Sequence, residues 1–295
     1  MQTYMDCMPC FIRQSLEAVR HATHDVSVHE QVVRKILRLT SELDMSQSPP
    51  AIAQQIHRCV RDLSGIEDPY RPVKQQFNNI ALKLYPGLRH RVMDSGNPLE
   101  LAIRLAIAGN IIDFGAFGVL HQSDLERAIE ECLTTALEGM DLPAFQAAIE
   151  NTGNILYLAD NAGEIVLDRL LIEQLPLEKL TVAVKGSPVL NDATIEDAIY
   201  AGLTQIVEVI DNGSDAPGTL LESCSENFRD RFENADLIIA KGQGNYETLS
   251  NVDKHIYFLL KAKCPVIAGH IGCDVGRMIF QKSTAFTGEK ENAGI

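Results

Sequence analysis

The chain has 295 residues, 45% of them hydrophobic and 22% charged, close to an ordinary globular mixture, which excludes a disordered chain or a long coiled coil. Its 40 Asp and Glu against 26 Lys and Arg give a formal net charge of -14 with no dense basic run, which disfavours nucleic acid as a partner because duplex binding depends on cationic neutralisation of phosphates. No apolar run approaches the length of a membrane span, and seven scattered cysteines do not resemble a secreted disulfide framework, so no membrane partner and a cytoplasmic setting are expected.

The first residues, Met1 to Asp6, contain no cationic segment leading into an apolar core, so no secretory leader is expected. Cys7 and Cys10 follow as C-x-x-C in Asp6-Cys7-Met8-Pro9-Cys10-Phe11. Such a pair can bind a soft metal, cycle between thiol and disulfide, or simply pack at a helix start. A structural zinc site would need two more ligands, with His21 and His24 nearest in sequence, and the pair stays outside the catalytic assignment.

From there to about residue 150 apolar residues recur at helical spacing, and the region reads as an all-helical domain, residues 1–150. Breaks are predicted at Ser48-Pro49-Pro50, Asp68-Pro69-Tyr70-Arg71-Pro72 and Ser95-Gly96-Asn97-Pro98. Gly109-Asn110 can end a helix, with Asp113 capping the next. Ser123-Asp124-Leu125-Glu126 has the form of a capping box and opens an amphipathic stretch through Ala136.

After residue 150 the texture changes to short apolar runs separated by glycine-bearing turns and helical segments. Strands are predicted at Ile155 to Ala159, Leu180 to Val184, Ile206 to Ile210, Leu237 to Ala240, and near Val266-Ile267-Ala268. Alternation of this kind is the mark of parallel strands joined by crossover helices, so residues 151–295 are expected to form an α/β doubly wound sheet. Four runs end in polar, turn-prone sequence: Asp160-Asn161-Ala162-Gly163-Glu164, Lys185-Gly186-Ser187-Pro188, Asp211-Asn212-Gly213-Ser214-Asp215, and Lys241-Gly242-Gln243-Gly244-Asn245-Tyr246-Glu247. One strand-end Asp or Asn is an ordinary turn former, but four such clusters on one sheet edge mark the place where open α/β sheets bind ligands.

Asp160, Asn161 and Asp192 offer two carboxylates and an amide carbonyl with no His or Cys close by in sequence, a donor set suited to magnesium or manganese rather than zinc. Lys185 and Lys241, at strand ends beside glycines, are placed to neutralise a phosphoryl group. No stretch completes G-x-G-x-x-G or a P-loop, and no G-x-S-x-G or H-E-x-x-H occurs.

Together, Asp6 to Phe11, Gly109-Asn110-Ile111-Ile112-Asp113-Phe114-Gly115, Asp160 to Glu164 with Asp168, Lys185 to Asp192, and Lys241 to Glu247 resemble the metal-dependent damage-control phosphatases, a family long catalogued as a domain of unknown function. The early C-x-x-C is similar to its prokaryotic-type subgroup. The resemblance implies a Rossmann-like, mostly parallel sheet with flanking helices behind a helical amino-terminal domain. It also implies hydrolysis of small phosphorylated metabolites supported by one divalent ion per chain, magnesium, manganese, cobalt or nickel.

By the same resemblance the metal ligands fall on Asp160, Asn161 and Asp192, with Asp160, Asp192 and Lys241 carrying the chemistry. Asn110, Asp113, Glu164, Lys185, Asn191 and Asn245 are expected to face substrate, and Asp168 to orient ligands from one helical turn further on or to be structural. Some relatives have been described as carboxyl methyltransferases, but no glycine-rich methyl-donor loop follows the first strand of the α/β half. A transferase with a nucleotide-like donor in the same crevice, and a sensor that binds a phosphometabolite without turning it over, are the alternatives.

Overall fold

The computed structural model describes residues 1–110 and 122–287. Every predicted break marks a helix start. Pro49 and Pro50 open one helix behind Ser48, Arg71-Pro72 open the next behind Tyr70, and Pro98 opens a third behind Asn97, whose side chain accepts from the Glu100 N–H. Proline suits these positions because the first helical N–H groups have no partner in the helix and φ is already set.

In chain order the elements are α1 (Met8–Ala22), α2 (Val26–Ser41), α3 (Pro49–Ser64), α4 (Arg71–Met93), α5 (Pro98–Gly109), α6 (Gln122–Thr134), β1 (Leu137–Glu138) and α7 (Leu142–Glu150). They continue with β2 (Ile155–Leu158), α8 (Glu164–Ile172), β3 (Leu180–Val184), α9 (Ile195–Tyr200), β4 (Glu208–Asp211) and α10 (Glu226–Asn234). The last are β5 (Leu237–Lys241), α11 (Gly242–Leu249), β6 (Ile256–Lys261), α12 (Pro265–Ile271) and β7 (Met278–Lys282). None of the helices described is long and apolar enough to cross a membrane.

The strands form one seven-stranded sheet in the order β1-β7-β6-β5-β2-β3-β4, parallel throughout except for β6 against β7. Alternate residues of each strand serve different cores. Ile155, Tyr157, Val182, Ile239 and Leu259 pack with α4, α5 and α8 on one face, while Leu156, Leu158, Ile238, Ala240 and Phe258 pack with α10, α11 and α12 on the other. Burial on both faces explains why β2, β3 and β5 read as unbroken apolar runs. Helices α1 to α3 enclose a third core of their own, built on Phe11, Val19, Val32, Ile36, Ile56 and Val60.

One predicted strand is a helix. Val266, Ile267 and Ala268 belong to α12, which opens with Pro265 in its first turn; a short apolar run fits a buried helix as well as a strand. The sheet is completed instead by β6 and β7, and a two-residue strand, β1, reaches it from the helical half. The run expected at Ile206 to Ile210 pairs at Glu208–Asp211.

Candidate functional site

From β2 the chain steps outward through β3 to β4, then crosses to the other side of β2 to lay down β5 and β6. The reversal falls between β2 and β5, and their carboxyl ends frame the crevice in which doubly wound sheets bind ligands. Asp160 lies just past β2, and Lys241-Gly242 form the joint between β5 and α11. From the β3 side the loop carrying Asp192 folds back, so that Asn161 and Asp192 are bridge partners in antiparallel sense. The Ala193 N–H donates to Asp160 O and the Ala162 N–H to Asn191 O, each at 2.8 Å.

Two asparagines and two carboxylates interlock at this corner. Asn110 Nδ2, from the end of α5, donates to Asp160 Oδ2 at 2.7 Å and to Glu164 Oε2 at 2.9 Å. Asn161 Nδ2 donates to the same two oxygens at 2.8 and 2.9 Å. The carbonyl arm of each amide is thereby turned to its other side. Asn110 Oδ1 and Asp192 Oδ2 are buried and accept no hydrogen bond among the described residues, although Asp192 Oδ2 lies 3.5 Å from the Lys185 ammonium.

Gly242 lets this arrangement exist. Its φ is +81°, and a Cβ built on it would come within 1.8 Å of Asp160 Oδ2, so the carboxylate rests directly against the backbone at the start of α11. Gly163, with φ +75°, makes the turn before α8, and a Cβ there would meet Phe77 of α4 at 2.8 Å. The Gly163 N–H is held by Asn78 Oδ1 at 2.7 Å, while Asn78 Nδ2 donates to Asp197 at 2.8 Å.

Lys241 is fully buried and turned inward. Its ammonium donates to Glu164 Oε1 at 2.7 Å, Asp168 Oδ1 at 2.5 Å and the Ala106 carbonyl at 2.8 Å, which uses all three donors inside the protein. The expected free ammonium for phosphate is therefore a counter-ion to two carboxylates one helical turn apart on α8. Asn245 is fixed as well: it donates to Lys241 O at 2.7 Å and accepts from Thr219 Oγ1 at 2.7 Å, so its amide points into the framework rather than toward substrate. Lys185 is buried, donates to the Gly218 carbonyl and faces Asp192. Asn191 is half-buried in the loop, and Asp113 lies outside the described residues.

Four buried carboxyl groups, Asp160, Glu164, Asp168 and Asp192, meet two buried ammonium groups, Lys185 and Lys241, a formal excess of two carboxyls. Burial first, then the charges of Glu164 and Asp192, push the Asp160 carboxyl well above the ordinary carboxylate range. Asp192 is pushed up to about 6 by burial, with Lys185 pulling the other way. Burial alone would lower the Lys241 pKa, but Asp168 and Glu164 outweigh it and raise it.

A formal excess of two buried carboxyls, with Asn110 Oδ1 and Asp192 Oδ2 left without a donor among the described residues, fits a small hard divalent cation. Among the described residues no three His, Cys, Asp or Glu side chains form a metal-holding group, so the fit rests on a mixed set of carboxylate and amide oxygens.

Sequence reasoning missed Asn78 and Thr219, which brace the two turns, because a polar residue inside a helix or loop gives no sign of what it faces. His270 hydrogen-bonds the Tyr246 hydroxyl at 2.8 Å from within α12, as a satisfied structural histidine does.

Residues 3–279 match the family model of the damage-control phosphatase ARMT1-like domain. An uncharacterized protein of Methanocaldococcus jannaschii is 38% identical, covering 94% of this chain and 94% of its own. A damage-control phosphatase of Archaeoglobus fulgidus is 36% identical, covering 92% of this chain and 96% of its own. Among solved structures, a crystal structure of a DUF89 family protein from Pyrococcus horikoshii is similar with a TM-score of 0.88 at 32% identity, covering 96% of this chain and all of that one.

Proposed function

The chain belongs to the damage-control phosphatase ARMT1-like domain family, and on that premise we propose that it is a divalent-metal-dependent phosphomonoesterase acting on small phosphorylated metabolites. The observation that carries this reading is the buried excess of carboxylate at the switch between β2 and β5, where a phosphorylated ligand of an open α/β sheet would sit. Ionising such an excess of buried carboxyls is costly unless a cation shares the charge.

Asp160 and Asp192 would hold the ion, with the carbonyl arm of Asn161 completing the set. Bound there, a divalent cation supplies a Lewis acid for a phosphoryl oxygen and lowers the pKa of a water. Asn110 and Asn161 keep Asp160 and Glu164 in register through their four N–H bonds. Lys241 works from behind, holding Glu164 and Asp168 against α5, and Lys185 sets a positive charge beside Asp192. The first turn of α11 opens at the same edge, and free N–H groups at a helix start favour a phosphate oxygen.

A panel of phosphorylated sugars and cofactor fragments, assayed for phosphate release after chelation and again with magnesium, manganese, cobalt or nickel restored, tests the reading. Release that depends on the added ion and is lost in Asp160→Asn supports it. Full release in the chelated protein overturns the metal dependence, and binding without release under every condition leaves a sensor.

A further inference from the structure

Among the described residues, Leu190 is the single non-glycine with positive φ, at +47°. It occupies the second position of a tight turn, Val189-Leu190-Asn191-Asp192, closed by the Asp192 N–H donating to Val189 O at 3.1 Å. A positive φ there calls for Gly, Asn or Asp, and a branched apolar side chain takes it only when its surroundings enforce it. The surroundings are visible. Leu190 is half-buried and packs into the core of the α1 to α3 bundle, against the cluster that holds Phe11, Ile56, Val60 and Tyr70.

The turn is tied at both ends. Before it, Pro188 O accepts from Arg61 Nη1 of α3 at 3.1 Å. After it, Asn191 O accepts from the Ala162 N–H, the Ala193 N–H donates to Asp160 O, and the Lys185 N–H donates to Ala193 O at 2.9 Å. One side of the turn is thus fastened to the helical bundle, and the other forms the backbone bridge that brings Asp192 to Asn161.

We propose that Leu190 is a positioning residue: its side chain, seated in the helical bundle, holds the Val189 to Asp192 turn in a strained form that presents Asp192 to the Asp160 corner. The proposal rests on the reading of Asp192 as a metal ligand. It makes the bundle part of the site although α1 and α2 give no side chain to it. Without the anchor, nothing local favours positive φ at a leucine, and the bridge between residues 161 and 192 loosens.

The test compares Leu190→Ala, Leu190→Gly and Leu190→Met with Val32→Ala, which removes apolar volume from the same core on α2, away from the turn. Manganese alone is titrated calorimetrically, and amide hydrogen exchange is followed at Ala162 and Ala193. Leu190→Ala is expected to weaken manganese binding about tenfold or more and to speed exchange at both amides, the scale on which groups that orient metal ligands act. Leu190→Met, which restores an apolar anchor, is expected to recover both. Leu190→Gly, which takes the turn without strain, keeps the test open should the alanine variant fail to fold; it too is expected to bind manganese more weakly, for want of the anchor.

Val32→Ala is expected to lower the thermal midpoint and change neither readout. With substrate, Leu190→Ala should raise the manganese concentration needed for half-maximal turnover more than it lowers kcat at saturating metal. Equal exchange and equal manganese affinity in Leu190→Ala and the parent protein would overturn the proposal, as would Val32→Ala matching Leu190→Ala in both. If the parent protein binds no manganese, the metal reading fails, and the exchange at Ala162 and Ala193 still decides whether Leu190 holds the turn.

Discussion

Two charge clusters share the corner between β2 and β5, and they are built on opposite principles. In one, Lys241 spends all three donors on Glu164, Asp168 and a backbone carbonyl, with no exposure at any of the three side chains worth more than 1%. In the other, Asn110 Oδ1 and Asp192 Oδ2 are buried and find no donor among the described residues, and the Asp160 and Asp192 carboxyls are harder to ionise than usual, Asp160 by burial and its like-charged neighbours and Asp192 by burial. The first cluster is built round a lysine whose donors are all spent inside the protein, although Asp168 Oδ2 there also accepts no hydrogen bond among the described residues and burial pushes Asp168 up to about 7. The second has no such saturated ammonium at its centre and is set up for something from outside. Glu164 belongs to both, giving Oε1 to Lys241 and Oε2 to the asparagines, so it couples the support to the site.

The sharpest way to break this comparison is to empty the closed cluster. Lys241→Met leaves two buried carboxylates without their counter-ion, and removal of one partner from a buried ion pair costs about 3–5 kcal/mol. Urea denaturation should show that loss in the metal-free protein. A variant as stable as the parent would mean that the Lys241 cluster is not what holds α8 to α5.

Asp160→Asn should behave in the opposite way. Removing a carboxylate whose ionisation is opposed first by burial and then by two like-charged neighbours should leave the metal-free protein as stable or more so. Metal-supported phosphate release should fall by about 100-fold or more, equivalent to roughly 2.7 kcal/mol. Loss of stability together with unchanged metal affinity would place Asp160 in the closed cluster instead.

Gly242→Ala probes the join between the two. An added methyl would strike the Asp160 carboxylate and also sit at φ +81°, so it should cost about 2 kcal/mol in denaturation and disturb metal binding. Calorimetric titration with manganese separates the two effects, because the backbone penalty alone would leave affinity unchanged.

The open cluster was legible in the sequence and the closed one was not, for a physical reason. Asp160, Asn161 and Glu164 follow an apolar strand and lie before a helix, so chain order places them at the sheet edge without knowledge of packing. Lys241 carries the same strand-end signal, but whether its side chain faces the crevice or turns under the sheet depends on α5 and α8 meeting it there. Period and composition report which face of an element is apolar, not which neighbour covers it. The same limit hid α12, whose Val266-Ile267-Ala268 reads equally as strand, and it hid Leu190, whose strain comes from the bundle it enters.

A third ion cluster, at the junction of the bundle with the sheet, gives the weakest test and extends the comparison to partly exposed charge. Asp215, in the loop after β4, accepts from Gln54 Nε2 at 2.7 Å, from Arg58 Nε at 2.8 Å and Nη2 at 2.6 Å, and from Arg61. Burial would raise its pKa, but Arg58, Gln54 and Arg61 outweigh it and hold the carboxyl down at about 2. Because the folded value lies below the unfolded one, this stabilisation is fully present above about pH 4 and is lost as pH falls through about 2. Half of the Arg58 side chain is exposed, so water screens the pair and Asp215→Asn should cost only about 1 kcal/mol near neutral pH. That cost should shrink steeply when parent and variant are compared at pH 2, where about half of the folded parent has lost the same charge. A penalty that persists there in full would show that shape and hydrogen bonding, rather than ion pairing, hold the bundle against the sheet.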